Sequence, residues 1–179
     1  MGMDRAAHGD PPIFLGLGTN LGDRLENLNR ALHLLTDHVD VGILAVASVY
    51  ETSPVGGPPG QSDYFNTAVK IASTMDAPSL LAHILDVERS MGRIRSVVNG
   101  PRNIDVDLLI MGNDIFDTPT LSLPHPRLHQ RRFVLAPLAE IAPNLRHPMQ
   151  GSTMQELLDQ LPLDGNVVRR IASPNWYAV

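Results

Sequence analysis

The chain has 179 residues, 43% of them hydrophobic and 18% charged, with a formal net charge of −5, which describes one globular domain with an ordinary core and excludes a bulk basic surface for nucleic acid or an anionic membrane. It contains no cysteine, so disulfides, thiolate metal sites and cysteine nucleophiles are excluded. No run approaches the roughly 20 apolar residues of a membrane-spanning helix, and the start, MGMDRAAHGDPP, has no apolar leader core; the expectation is a cytoplasmic, monomeric protein that engages neither nucleic acid nor membrane.

Residues 1–12 read as a flexible tail and 13–179 as a single domain. IFLGLG (13–18) is a short apolar strand. TNLGD is a turn in which Asp23 is placed to cap a helix, and Leu25, Leu28, Leu32 and Leu35 recur at helical spacing behind it. VGILAVASVY (41–50) is strand-like. ETSPVGGPPGQSD (51–63), with three prolines and three glycines, is a long loop. YFNTAVKIAS (64–73) alternates as a strand, with Phe65 and Ala68 assigned to the core and Tyr64 and Asn66 to the opposite face. Pro78 suits the first turn of a second helix, in which Leu81, Ile84, Leu85 and Glu88 lead to a stop at Gly92. GRIRSVVNGPRN (92–103) is a second long loop. A strand follows in Ile104, Val106, Leu108, Leu109 and Ile110. Short helices around prolines are expected over 123–143 and a helix near 152–161; Val167–Ile171 either adds a strand or stays irregular. The order strand, helix, strand, strand, helix, strand is that of an α+β, ferredoxin-like (βαββαβ) fold: an antiparallel sheet with both helices on one face, plus C-terminal additions.

Asp105 and Asp107 alternate within the last of these strands, so both carboxylates project from one face. Two such charges repel each other, and a hard cation such as Mg²⁺ relieves this by taking carboxylate oxygens together with substrate phosphates. Arg93, Arg95 and Arg102 crowd into the preceding loop, with Arg127, Arg131 and Arg132 further on; guanidinium forks bind phosphate oxygens bidentately. An acidic chain with local arginine clusters points to a small anionic ligand. His125 and His129 have the spacing of a helical metal pair, but prolines flank His125 and no H-E-x-x-H exists, which argues against zinc. His125, Arg131 and Arg127 better suit phosphates. Tyr64 and Asn66 offer a ring beside an amide, a slot for a planar heterocycle. GLGTNLG lacks the dinucleotide spacing and is read as a tight turn whose Thr19 and Asn20 brace the loops above. No Walker loop is present.

GTNLGDR, YETSPVG, DYFNTAV, GRIR, GPRNIDVDLLIMG and LPHPRLHQRRFVLAPLAEIAP occur in this order, and together they resemble the 6-hydroxymethyl-7,8-dihydropterin pyrophosphokinase family over about residues 13–145. The resemblance implies an enzyme, a diphosphotransferase of folate biosynthesis, that moves the terminal pyrophosphate of ATP to the hydroxymethyl group of the pterin and releases AMP. It implies two Mg²⁺ ions on Asp105 and Asp107; an ATP site of Glu88, Arg95, Arg102, Ile104, His125 and Arg131; a pterin site of Thr52, Pro54, Val55, Tyr64, Asn66 and Phe133; and chemistry carried by Arg93, Arg95 and Asp107. The chain departs from the pattern at Asn99, where some members carry tryptophan, in a loop one residue shorter, and at Thr19, Ser53 and Pro126. A small nucleotidyltransferase and a ligand-sensing module are the rival readings of the residues alone.

Overall fold

The computed structural model describes residues 11–93, 100–162 and 168–177. Its elements run β1 (Ile13–Thr19), α1 (Arg24–Thr36), β2 (Val41–Val46), β3 (Val49–Thr52), β4 (Tyr64–Ser73), α2 (Ala77–Ser90), β5 (Asp105–Met111), β6 (Phe116–Asp117), β7 (Ser122–Leu123), α3 (Arg132–Ile141), α4 (Met154–Gln160) and β8 (Val168–Ala172), with single 3₁₀ turns at Leu128–Gln130 and Pro174–Trp176. The main sheet has the order β5-β1-β4-β3-β8, with β2 also paired to β4, and every pairing is antiparallel. Because β2 and β3 lie along successive stretches of β4, they are two halves of one strand. The core of the sheet is thus the ferredoxin-like order, with β8 added at one edge.

The helices begin and end where their caps require. Asp23 accepts a hydrogen bond from the Glu26 N–H (3.1 Å) and Asp76 from the Ser79 N–H (2.8 Å), each satisfying an orphan donor of the first turn. Pro78 occupies the first turn of α2. Gly92, at φ +77°, takes the left-handed position beyond its end. Leu28, Leu32 and Leu35 of α1 are fully buried against Ile13, Leu15 and Leu17 of β1 and Leu80 and Ile84 of α2. This is the first core.

The second face of the sheet is only half covered. Phe14, Ala68, Leu109 and Ile110 pack against Leu128, Val134, Leu135, Leu138, Met154 and Leu157, so the C-terminal additions α3 and α4 form a lid over one half. The other half carries Gly16, Gly18, Tyr64, Asn66, Asp105 and Asp107, and there the sheet faces a cavity.

The structure differs from the sequence expectation at three points. The strand over 41–50 is broken after Val46: Val46 lies opposite Val69 and Tyr50 opposite Asn66, four steps against three, which is a one-residue bulge. Glu51 and Thr52, assigned to the long loop, belong to β3, because pairing with Phe65 and Tyr64 outweighs the turn-forming residues that follow. Ala68 shares its face with Tyr64 and Asn66, as strict alternation demands, and fills the second core instead of the first. The 167–171 segment does form a strand, at Val168–Ala172. Among the described residues no helix is long and apolar enough to cross a membrane.

Leu32 is fully buried between α2 and the sheet. Leu32→Ala removes that packing and should cost about 3 kcal/mol of stability, read as a lower denaturant midpoint at unchanged slope.

Candidate active site

The cavity on the uncovered half of the sheet has a volume of about 730 Å³. Its floor is β1, β4 and β5. Gly16 and Gly18 lie on the floor beside the two aspartates: Gly16 pairs with Asp107 and Gly18 with Asp105 across the β1–β5 ladder. On the other side Gly18 pairs with Asn66, and a Cβ on Gly18 would come within 2.7 Å of the Asn66 Oδ1. The missing side chain is what leaves room for the Asn66 amide. These two glycines were not recognised as site residues in the sequence, although a G-x-G inside a strand, rather than in a turn, marks two bare positions on one face.

Asn66 is buried, and its Nδ2 donates to Thr52 Oγ1 at 2.6 Å, which orients the amide. Tyr64 stands beside it, its hydroxyl donating to the Gly100 carbonyl (3.2 Å). Phe133 lines the opposite wall from the start of α3, with the Arg131 guanidinium 5.5 Å from its ring centre. Val55, more than half exposed, lines the rim, whereas Pro54 does not line the cavity.

Two long loops border the cavity, and Asn20 ties them together. Its N–H donates to the Arg102 carbonyl (3.0 Å) and its Oδ1 accepts from the Arg102 N–H (2.8 Å). Its Nδ2 reaches the Ser62 carbonyl and Gln61 Oε1 at 3.2 and 3.3 Å. Thr19 Oγ1 accepts from Asn27. The bracing of the loops expected of Thr19 and Asn20 is carried by Asn20, which is nearly fully buried in doing it, whereas Thr19 meets α1 through Asn27.

The charged groups are arranged asymmetrically. Asp105 is held at both oxygens, by Arg93 (2.6 Å) and Arg102 (2.6 Å). Glu88, at the end of α2, is buried; it pairs with Arg93 and accepts from the Val106 N–H at 2.8 Å, so one carboxylate both caps the start of β5 and anchors an arginine. Asp107 has a single ion-pair neighbour within 4 Å among the described residues, His125 Nε2 at 3.9 Å. Desolvation in the recess, then the charge of Asp105, push the Asp107 carboxyl up to about 7.

His125 is the reverse case. Desolvation, then Arg131 and Arg127, lower it to about 4, so the imidazole is neutral at pH 7. Its Nδ1 accepts from the Arg127 N–H (3.2 Å), which places the remaining proton on Nε2, the atom nearest Asp107. Desolvation and the charge of Arg127 also lower Arg131.

The structure therefore brings Thr52, Val55, Tyr64, Asn66, Glu88, Arg93, Arg102, Asp105, Asp107, His125, Arg131 and Phe133 to one cavity. Ile104 is not brought to its wall: the side chain is fully buried in the first core. Arg95 and Asn99 lie outside the described residues. His129 turns away from His125 and meets His147 edge-on, with ring centres 5.8 Å apart, so the two spaced histidines form no pair. Leu81, Leu85, Thr120, Leu121, Ser122 and Gln130 also line the cavity; their residue types carry no chemical signal of their own.

The donor set suits a hard, oxygen-ligated cation. Two carboxylates share one face, and Asp107 accepts no hydrogen bond from any described residue. No third carboxylate or imidazole joins them as a ligand cluster among the described residues, so a cation here would complete its shell with ligand phosphate oxygens and water.

The family model described as 7,8-dihydro-6-hydroxymethylpterin-pyrophosphokinase (HPPK) matches residues 14–143. The chain is 42% identical over 128 residues to the 2-amino-4-hydroxy-6-hydroxymethyldihydropteridine pyrophosphokinase of Bacillus subtilis, covering 72% of this chain and 76% of that protein. It is 36% identical over 152 residues to the folic acid synthesis protein fol1 of Schizosaccharomyces pombe, covering 85% of this chain and 21% of that one. The wild-type HPPK-DHPS of Plasmodium falciparum, solved with pterin and p-hydroxybenzoate, superposes with a TM-score of 0.66 at 18% identity, over 86% of this chain and 42% of that chain. The chain thus spans about a fifth of the fission-yeast protein and less than half of the plasmodial one; the structural likeness is one of fold.

In the folded state the Asp107 carboxyl, at about 7, holds its proton more tightly than in the unfolded chain. Stability contributed at low pH is therefore lost as pH rises towards 7. In EDTA, Asp107→Asn should melt a few degrees above the wild type at pH 8 and level with it at pH 4; an equal offset at both pH values would show that the charge is not the cause.

Proposed function

The chain belongs to the 7,8-dihydro-6-hydroxymethylpterin-pyrophosphokinase family, and on that premise we propose that it transfers the terminal pyrophosphate of ATP to 6-hydroxymethyl-7,8-dihydropterin, releasing AMP, in folate biosynthesis. The observation that carries the reading is the floor of the cavity: two aspartates on one face of β5, next to a ring-and-amide slot and within a ring of arginines. The same reading makes the protein a cytoplasmic monomer acting on small molecules.

The pterin ring lies between Tyr64 and Phe133, its edge read by the Asn66 amide that Thr52 fixes. Val55 closes the rim, with Pro54 shaping the loop behind it. The triphosphate lies over the aspartates, where Arg102, Arg131 and the neutral His125 offer donors. Glu88 holds Arg93 and the start of β5 in place, and Ile104 contributes through its backbone. Asp105 and Asp107 would hold two Mg²⁺ ions, which when bound supply charge neutralisation for phosphoryl oxygens and align nucleophile with leaving group.

The pterin hydroxyl oxygen attacks the β-phosphorus. The bond from that phosphorus to the bridging oxygen of AMP breaks, and the hydroxyl proton passes to solvent or to Asp107. Arg93 and Arg95 stabilise the charge that develops on the transferred group.

Incubation with the hydroxymethyl dihydropterin, ATP and Mg²⁺ should release AMP in step with pterin diphosphate. Release of pyrophosphate would instead mean nucleotidyl transfer, and binding without turnover would mean a sensing module. Asp105→Ala and Asp107→Ala should each lower turnover by about a thousandfold in protein that stays folded by circular dichroism; near-normal activity in either would refute the assignment. Arg93→Ala should lower kcat more than it raises the KM for ATP, the pattern of a group acting in the transition state.

A further inference from the structure

The bulge that divides β2 from β3 lies well away from the aspartates, yet it is one of the most tightly tied places in the fold. Its extra residue leaves backbone groups without a strand partner. The Ala47 carbonyl takes a hydrogen bond from Thr67 Oγ1 (3.1 Å) and another from the Trp176 indole (2.8 Å). The next residue, Ser48, is fully buried, and it is met by a carboxylate. Glu140 of α3 accepts from the Ser48 N–H (3.1 Å), the Ser48 hydroxyl (2.7 Å) and the Tyr50 hydroxyl (2.7 Å).

Three donors on one ionised group, two of them at short distance, make a strong charge-assisted clamp. Burial, then the hydrogen bond and charge of Glu140, push the Tyr50 phenol up to about 12, so it remains a donor throughout the physiological range. Removing the carboxylate would strand a buried serine N–H and hydroxyl, which makes the clamp costly to break.

The clamp joins two walls of the cavity. Seven residues, about two helical turns, separate Glu140 from Phe133 on α3. Two residues after Tyr50 on β3 comes Thr52, the acceptor that orients Asn66, and Tyr50 itself is directly opposite Asn66 in the ladder. Glu140 therefore ties the helix that carries Phe133 to the strand that lies opposite Asn66. The aspartates and Arg102 stand on β5 and the loop before it, on the far side of β1, outside this linkage.

We propose that Glu140 is a positioning residue chiefly for the heterocycle half of the site: it helps fix the width of the slot between Phe133 and Asn66, while of the triphosphate donors only Arg131, at the leading end of the same helix, rides on α3. This rests on the pyrophosphokinase reading, in which that slot takes the pterin. The residue contacts no substrate itself. The Gln side chain is nearly the same size but has one acceptor oxygen in place of two, and its amide nitrogen cannot accept from the Ser48 N–H or from Tyr50.

The test is Glu140→Gln beside Tyr50→Phe in the full chain. Pterin binding is followed by pterin fluorescence, ATP by its KM, and folding by thermal melting. Glu140→Gln should weaken pterin binding about tenfold and Tyr50→Phe about threefold, with the KM for ATP rising by a smaller factor than the pterin affinity falls in both. Unchanged pterin affinity in folded Glu140→Gln would overturn the proposal, as would parallel losses of pterin and ATP affinity tracking a lowered melting temperature. Should Glu140→Gln fail to fold, Tyr50→Phe decides by the same criteria. Wild-type protein that binds ATP but no pterin would instead overturn the functional reading beneath the proposal, and the proposal with it.

Discussion

Everything at the site depends on one end of one sheet face being left bare. Along that face, β1 presents Phe14, then Gly16, then Gly18; β4 presents Ala68, Asn66 and Tyr64; β5 presents Leu109, Asp107 and Asp105. β1 and β5 change character at one level, at Gly16 and Asp107, and β4 one pair further on, at Asn66 opposite Gly18. Below this boundary the residues are apolar and α3 and α4 cover them; above it stand glycines, an amide, a phenol ring and two acids, and an apolar element packed there would strand charge. The cavity is thus written into the alternation of three strands before any loop closes over it.

The charge on that bare end is balanced unevenly, and the imbalance divides the labour. Asp105 is fastened by two arginines, one of which is also held by Glu88. Such a network positions side chains, because each member is held from more than one direction. Asp107, two residues on, has a neutral imidazole as its one ion-pair neighbour within 4 Å among the described residues, and desolvation and the charge of Asp105 raise its carboxyl against the pull of Arg131 and Arg93. Two chemically identical groups on one strand therefore differ in how they are held: Asp105 is paired directly with two arginines, whereas among the described residues Asp107 is paired with none within 4 Å.

Much of this was legible in the sequence for a local reason. The helix cap at Asp23, Pro78 in the first turn of α2, the leucine ladder of α1, the stop at Gly92 and the same-face aspartates depend on neighbours within a few residues, and they hold. The ferredoxin-like order follows from them. The break at Ala47–Ser48 was not legible, because what stabilises it is Glu140, more than ninety residues away, and Trp176 near the end of the described chain. Glu51 and Thr52 were hidden by the glycines and prolines after them. Glu88 was placed at the site by resemblance, but its burial under the start of β5 and its grip on a backbone N–H come only with the folded pairing of α2 and β5. Ile104 illustrates the opposite limit: a residue next to the aspartates in sequence points, by alternation, into the other core.

The second core and the site are consequently one construction. A ferredoxin-like sheet with both helices on one face is incomplete, and in this chain the segment after β5 completes it. The apolar side of that segment seals the lower half of the face with Val134, Leu135 and Leu138, while its leading end supplies Arg131 and Phe133 to the cavity. Packing that secures α3 thereby sets where two functional side chains stand. The first core, between α1, α2 and the sheet, meets the cavity through Leu17, Leu81, Val106, Leu108 and Leu121, which are apolar wall rather than charged or ring-bearing site residues. Losses there should propagate into global stability, whereas losses in the second core should also reach the site, because the same helix carries both.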